Sequence, residues 1–386
     1  MSSRDPLIAS GGILITMHQL SQGGGDRIAV TLASGFAARG IRTRIALISE
    51  GGDGEEALRS LLHPDVAVAV RGKALSSPFA KVRERRRGIS FIRQQIEAMK
   101  PAIMLAATDN VALATTLACR RAVVSPLLVQ KLTNRLFRPK LGAFRRIYRG
   151  NLFRFIFRNV DQVIVLTDSE RTDLLRHYPE MEDRVRTLPN PHLSEDMFAA
   201  AQPRRQGPPH LLTAGRMVRQ KRYDVLLEAL AKSCHQTARL TIFGDGPLRR
   251  DLERQAHALG IAERVDMPGF VPDIMPAIRN SDLVVLSSDY EGLPGVLIRA
   301  LACNVPVVTT DSFFAAGEML AASTSCAVVP TGDAAALAEA IDSCLDAPGS
   351  ENLQKIVEPY RIETAIEAYT TALSQLLQQQ RGHAPA

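Results

Sequence analysis

The chain has 386 residues, too many for one ordinary domain, and its 46% hydrophobic and 23% charged composition is that of a soluble α/β protein with apolar mass for two cores. Cys119, Cys234, Cys303, Cys326 and Cys344 are odd in number and lack metal-ligand spacing; this argues against a disulfide framework or a zinc module and suits small buried residues in a reducing cytoplasm. No stretch approaches the roughly 20 apolar residues needed to cross a bilayer, and the first apolar run is short, follows an acid and leads into glycines, unlike a signal peptide.

The formal net charge of +7 is uneven. Residues 131–158 hold Lys131, Arg135, Arg138, Lys140, Arg145, Arg146, Arg149, Arg154 and Arg158 without one Asp or Glu, and residues 81–87 are nearly as basic. Such clusters predict an anionic partner: lipid phosphate, a membrane surface or nucleic acid.

In chain order, residues 13–17 read as a strand, 26–39 as an amphipathic helix and 41–48 as a second strand. The apolar runs 102–106, 126–129 and 163–166 follow, separated by helical or irregular sequence. This alternation is the βαβ rhythm of a parallel, doubly wound sheet. Residues 199–209, rich in Pro, Gln and Arg, break the rhythm. It restarts with strands at 210–213, 239–243, 264–267, 283–286 and 305–309 and helices at 223–231, 248–258, 274–280, 294–302 and 334–345. The expected organisation is an α/β chain of two Rossmann-like domains facing across a cleft. Residues 1–200 form the first domain, 201–209 a linker and 210–358 the second; 359–386 form a helix and tail packing back toward the first. Ligands of such sheets sit at the carboxyl ends of strands, where helix N-termini offer free amides.

Three loops after strands carry candidate chemistry. Gly23, Gly24 and Gly25 precede Asp26 and Arg27 at the start of a helix, and lacking Cβ atoms they let backbone amides approach a phosphate or sugar. Their spacing is not GxGxxG and no acid ends the second strand, which argues against a dinucleotide cofactor. Gly215 and Arg216 open a loop that reaches Lys221; two cations on one strand-to-helix loop can converge on a diphosphate and neutralise it as it departs, whereas an isolated pair would be ordinary surface charge. Residues 289–296 place Glu291 and Gly292 ahead of Leu293, Pro294, Gly295 and Val296. Pro294 suits the first turn of a helix whose amides face an incoming phosphate, and Glu291 can accept hydrogen bonds from sugar hydroxyls.

The order of these motifs, with Gly244 in Phe243-Gly244-Asp245-Gly246-Pro247, Pro268-Gly269-Phe270, residues 300–309 and Pro330-Thr331-Gly332-Asp333, resembles the family 4 retaining glycosyltransferases across residues 12–369. Residues 23–27 sit where that family has a Gly-Gly-x-Glu-Arg loop, and Asn190-Pro191 where it has an Asn-Pro turn. The resemblance implies a GT-B fold, a nucleotide-diphosphate sugar as donor (UDP favoured over GDP), and no required metal or other cofactor. It implies that Arg216 and Lys221 bind the pyrophosphate, that Phe270 and Val271 border the base, and that Glu291 meets the donor sugar. The backbone from Gly292 to Val296 would hold phosphate, with Gly215 and Gly244 shaping the pocket and Gly24 and Gly25 closing over the donor. The expected activity is retaining transfer to a glycan or lipid-linked acceptor in cell-surface polysaccharide synthesis; the alternative is a catalytically silent nucleotide-sugar-binding relative.

Two departures bear on this. Arg299 stands where the family has a second Glu, and Arg can only donate to a ribose hydroxyl. The family's N-terminal His is replaced by Thr133-Asn134, with no His between His63 and His177, leaving His18, Thr133 and Asn134 as acceptor-side candidates. In residues 131–158 the cations interleave with Phe137, Phe144, Tyr148, Phe153, Phe155 and Phe157. That mixture suits an anionic membrane surface at the inner face of the membrane; no motif supports a nucleic acid, and a helix with packed aromatics and a solvated basic face is the plainer reading.

Overall fold

Strand β1 (Ile13–Met17) is buried at every position, as a strand covered on both faces of a parallel sheet must be. The computed structural model describes residues 6–382 except 22, 52–54, 73–79, 134–135, 137–141, 199–206, 314 and 348–350; for 80–85 and 381–382 only the backbone is described. The chain divides into two units, Met1–Pro191 with Ile362–Ala386, and His192–Arg361. Residues 192–198, expected with the first domain, therefore belong to the second, while most of the expected linker lies outside the described residues.

In the first unit β1 is joined by β2 (Thr43–Leu47), β3 (Ala67–Val70), β4 (Ile103–Ala106), β5 (Leu127–Lys131), β6 (Gln162–Val165) and β7 (Val185–Thr187). Their spatial order is β3-β2-β1-β4-β5-β6-β7, with every pairing parallel. The second unit has β8 (His210–Ala214), β9 (Arg239–Phe243), β10 (Val265–Gly269), β11 (Leu283–Leu286), β12 (Val307–Thr310) and β13 (Ala327–Val329), in the parallel order β10-β9-β8-β11-β12-β13. Both sheets are doubly wound Rossmann-like sheets. In each, successive connections run to opposite sides of the first strand, so the topological switch point lies between β1 and β4 and between β8 and β11. Ligands collect at such points.

Three strands are absent from the sequence reading: β3, β7 and β13. They are three or four residues long and lie at or beside sheet edges, where one exposed face removes the continuous apolar run that marks a central strand. The C-terminal helix Ile362–Gly382 belongs to the first unit, with Ile366, Tyr369 and Leu373 fully buried in its core. A Cβ at Gly35 would stand 2.4–3.0 Å from Ile366, so the helix Gly24–Ala38 needs glycine there to receive it. In the second unit, the helix expected from Pro294 begins at Gly295. Pro294 caps it in an extended conformation rather than occupying its first turn.

Candidate active site

At the switch point of the second unit, the loop after β8 is built backbone against backbone. Gly215 N donates to Phe243 O at 2.9 Å, Gly244 N to Gly269 O at 2.8 Å and Met217 N to Asp245 O at 2.8 Å. A Cβ on Gly244 would lie 2.2 Å from the Gly215 carbonyl oxygen, and one on Gly215 would lie 2.8 Å from Lys221 Cε. At Gly244 a side chain would force the backbones apart, and at Gly215 it would displace the Lys221 side chain from a backbone whose φ of 155° already suits glycine. Arg216 is exposed at the start of the loop. A single 3-10 turn, Arg219–Lys221, carries the chain to Arg222, whose φ of 48° is left-handed. That strained conformation is held by two carboxylates, Asp224 at 2.9 Å and Asp289 at 3.2 Å.

Asp289 belongs to the loop after β11, and the two loops are zipped together. Asp289 N donates to Gln220 O, and the Gln220 side-chain amide to Tyr290 O, both at 2.8 Å. Ser287 Oγ donates to Lys221 O at 2.8 Å. At the centre Lys221 Nζ meets Glu291 Oε1 at 2.6 Å, and Ser288 Oγ donates to the same oxygen at 2.7 Å. The two charged side chains are only 18% and 11% exposed, so each depends on the other for solvation. Glu291 N donates to Ser312 O at 2.7 Å, which ties the loop to the end of β12.

Gly292 and Leu293 then lead through Pro294 into the helix Gly295–Ala302. The first-turn amides of Gly295 and Val296 have no acceptor that a helix can supply, and they mark its positive end. Arg299 Nη1 reaches back to 3.7 Å from the Cβ position of Gly295, and the His192 ring approaches the same point at 3.4 Å. His192 is buried, with its amide on Tyr360 O at 2.9 Å and its ring edge-on to Tyr360. A guanidinium beside a helix N-terminus concentrates positive potential at one spot, the arrangement an anion selects. Phe270, at the end of β10, keeps 52% of its surface exposed, and Val271 is half-buried beside it.

In the first unit the half-buried His18 follows β1, and its carbonyl accepts from Ser49 N at 2.7 Å. Around Gly24 there is open space, and Gly25 faces Thr108 at the end of β4. Asp26 anchors this glycine loop by accepting from Ser21 N at 3.0 Å and Ser21 Oγ at 2.5 Å, and burial holds its carboxyl above the usual range. Thr133 donates to both oxygens of Asp109, from N at 3.3 Å and Oγ1 at 3.2 Å. Asn134 lies outside the described residues. Desolvation raises the Asp109 carboxyl and lowers Lys131 to about 8, while Glu170 and Asp109 pull Lys131 back up.

Lys131 is thus a fully buried residue, not part of a surface patch, because it ends a strand buried at every position. The basic-aromatic segment shrinks further. Phe153 and Phe157 are core residues beneath Tyr178, and Phe155 lies half-buried under Arg120. On the helix Ala143–Phe157 the exposed apolar side chains are Phe144 (83%), Ile147 (64%) and Tyr148 (60%), with Arg145 and Arg146 exposed among them. The residues missed by the sequence reading are Asp109, His192, Arg222, Ser288 and Asp289. Asp289 lay inside the loop 289–296 without being assigned a role, Arg222, Ser288 and His192 each lay beside a quoted motif, and Asp109 had no local signal.

Lys221 and Glu291 are therefore paired at one switch point, on the loop that leads into the helix at Gly295. The model of group 1 glycosyl transferases matches residues 195–361, and that of glycosyltransferase family 4 matches residues 22–192. The chain belongs to the family 4 glycosyltransferases. It is 24% identical over 344 residues to the Campylobacter jejuni GalNAc-alpha-(1->4)-GalNAc-alpha-(1->3)-diNAcBac-PP-undecaprenol alpha-1,4-N-acetyl-D-galactosaminyltransferase, covering 87% of this chain and 88% of that one. It is 30% identical over 210 residues to the alpha-D-kanosaminyltransferase of Streptomyces kanamyceticus, covering 50% of this chain and 54% of that one. Among solved structures, Anabaena HepE in complex with UDP and glucose superposes with a TM-score of 0.76 at 17% identity over 94% of this chain and 99% of that chain. The lipopolysaccharide outer core galactosyltransferase WaaB gives 0.72 at 15% identity, over 94% and 99%. Both place the glycosyltransferase in the GT-B fold. Among the described residues no helix is long and apolar enough to cross a membrane.

The Gly244→Ala variant is expected to lose on the order of 2 kcal/mol or more of stability, because its Cβ meets backbone and not a movable side chain. Denaturant unfolding measures this; an unchanged midpoint would contradict the packing described.

Proposed function

We propose that the glycosyltransferase takes its sugar from a nucleotide-diphosphate donor, UDP-linked rather than GDP-linked. We propose that it passes the sugar to a glycan or lipid-linked acceptor with retention of anomeric configuration, in cell-surface polysaccharide synthesis. The observation that carries this is the Lys221–Glu291 pair, with Glu291 four residues ahead of the start of the helix Gly295–Ala302. In this reading Arg216, Lys221 and the Gly292–Val296 backbone take the diphosphate, and Glu291 accepts from the sugar hydroxyls. Phe270 and Val271 border the base, Gly215 and Gly244 keep the pocket open, and Arg299 donates where a carboxylate would accept. Gly24 and Gly25 are assigned to donor binding, and His18 and Thr133 to the acceptor. No metal or other cofactor is assigned to the transfer. The HepE complex with UDP and glucose, and the undecaprenol-linked substrate in the name of the Campylobacter relative, support the donor and acceptor classes.

The bond from the sugar C1 to the leaving phosphate oxygen breaks while the acceptor oxygen bonds to C1 on the same face, and the acceptor proton passes to that phosphate oxygen. Lys221 and Arg216 stabilise the charge that develops there. Lys221→Ala is expected to lower kcat by roughly 10²-fold or more while the chain stays folded by circular dichroism. Full activity would sink the assignment, and tight UDP-sugar binding without turnover in the wild type would favour the silent alternative. An α-linked product from an α-linked donor, read by NMR coupling, is expected; a β-linked product would reject retention.

We also propose that the helix Ala143–Phe157 docks on an anionic bilayer at the inner face of the membrane. Phe144, Ile147 and Tyr148 would enter the interface, and Arg145 and Arg146 would meet lipid phosphates. Sedimentation with phosphatidylglycerol vesicles, but not with phosphatidylcholine vesicles, is expected. It should be lost in the double variant Phe144→Asp, Tyr148→Asp; vesicle binding unaffected by that change would overturn the assignment.

A further inference from the structure

Away from the switch point of the second unit, two helices end together. The helix Tyr223–Lys232 runs out into Ser233, Cys234 and His235, and the helix Ala334–Asp346 brings Asp342 and Asp346, one turn apart, to the same place. The spacing of the cysteines along the chain argued against a metal, but the fold assembles a mixed ligand set that spacing does not show. A sulfur of Cys234, a ring nitrogen of His235 and a carboxylate oxygen of Asp342 all lie within 4.8 Å of one another. Cys234 is a free, exposed thiol.

The group is already oriented. Asp342 accepts from Ser233 Oγ at 2.5 Å and from Cys234 N at 2.9 Å, and Ser233 Oγ in turn accepts from His235 N at 3.2 Å. His235 Nε2 is shut off from solvent and faces the Asp346 carboxylate at 3.1 Å. A carboxylate behind an imidazole is the partner that fixes the ring of a metal-bound histidine. The electrostatics favour a cation as well. Two helix C-termini, each with a partial negative charge, converge here with two aspartates, and the last turn of Ala334–Asp346 holds no basic residue. Arg264 offsets part of this by donating to Leu230 O and His235 O, and Lys232 lies in the last turn of its own helix. Neither cation reaches the thiol–imidazole–carboxylate group in the described contacts.

We propose that Cys234, His235 and Asp342 bind a borderline divalent transition-metal ion of the Zn²⁺ type, with Asp346 orienting His235. The set combines sulfur, imidazole nitrogen and carboxylate oxygen, the ligands such an ion takes. On binding, the Cys234 thiol gives its proton to solvent as the sulfur–metal bond forms. The ion staples the ends of two helices that flank one face of the sheet. It stands apart from Lys221 and Glu291 and takes no part in sugar transfer.

The test uses the full chain, stripped with a chelator and titrated with Co²⁺ alone. About one equivalent is expected to produce thiolate-to-cobalt charge transfer in the near ultraviolet and ligand-field bands of low coordination number. The other four cysteines are the internal control: Cys234→Ser should abolish the charge-transfer band, and His235→Ala should weaken binding at least tenfold. Zn²⁺ should raise the thermal midpoint of the wild type and leave that of Cys234→Ser unchanged. No thiolate–cobalt absorption in the wild type, or the same absorption in Cys234→Ser, would overturn the proposal. Because the readouts are spectroscopic and thermal, loss of the metal site and loss of transferase activity are told apart.

Discussion

A lysine and a glutamate 2.6 Å apart, mostly withdrawn from water, constrain everything around them at the second switch point. Two such charges tolerate burial only while paired and hydrogen-bonded, since removing one leaves the other at a cost of about 3–5 kcal/mol. The loops that bring them together must therefore be held rigidly. Gly244 lets the backbones touch, Gly215 leaves room for the Lys221 side chain, Arg222 accepts a left-handed conformation to grip Asp224 and Asp289, and Ser287 and Gln220 complete the zip. The same pairing sets the chemistry. On the proposed function, an arriving diphosphate would compete with Glu291 for Lys221, and Glu291, partly released, would be free to accept from sugar hydroxyls. On that proposal the ion pair is a placeholder for the ligand's charge, with Ser288 holding one carboxylate oxygen.

The carboxyl ends of the strands in the first unit follow a different logic. There a buried lysine, Lys131, stands between Glu170 and Asp109, and Thr133 binds both oxygens of Asp109. Glu170 is itself fixed by the start of its helix: its carboxylate accepts from Leu166 N at 2.8 Å and its amide donates to Thr167 Oγ1 at 3.1 Å. Such a network orders the loop after β4 beside the glycine loop that Asp26 and Ser21 close. Thr133 is committed to positioning the Asp109 carboxyl.

The doubly wound architecture was legible because its central strands are apolar on both faces, and the βα alternation follows from that. The edge strands β3, β7 and β13 escaped for the same reason inverted: half-exposed and short, they carry no continuous apolar run. The loops at the switch points could be read from glycines and cations placed directly after strands. What could not be read is pairing. Lys221 and Glu291 are separated by a whole βαβ succession, and nothing local announces that they touch. Lys131 and the aromatics of residues 153–157 looked like surface because composition records charge and rings without recording which face of an element they occupy. Cys234, His235 and Asp342 escaped because two helix ends, not one motif, bring them together.

Amide hydrogen exchange with and without UDP tests the central claim most directly, since it reports which backbone groups a ligand orders and requires no acceptor. UDP should slow exchange in residues 215–222 and 291–298, where the Lys221–Glu291 pair and the helix start lie, with little change at 233–238. Protection confined to other segments, or none at saturating UDP, would contradict the assignment of this switch point as the donor site.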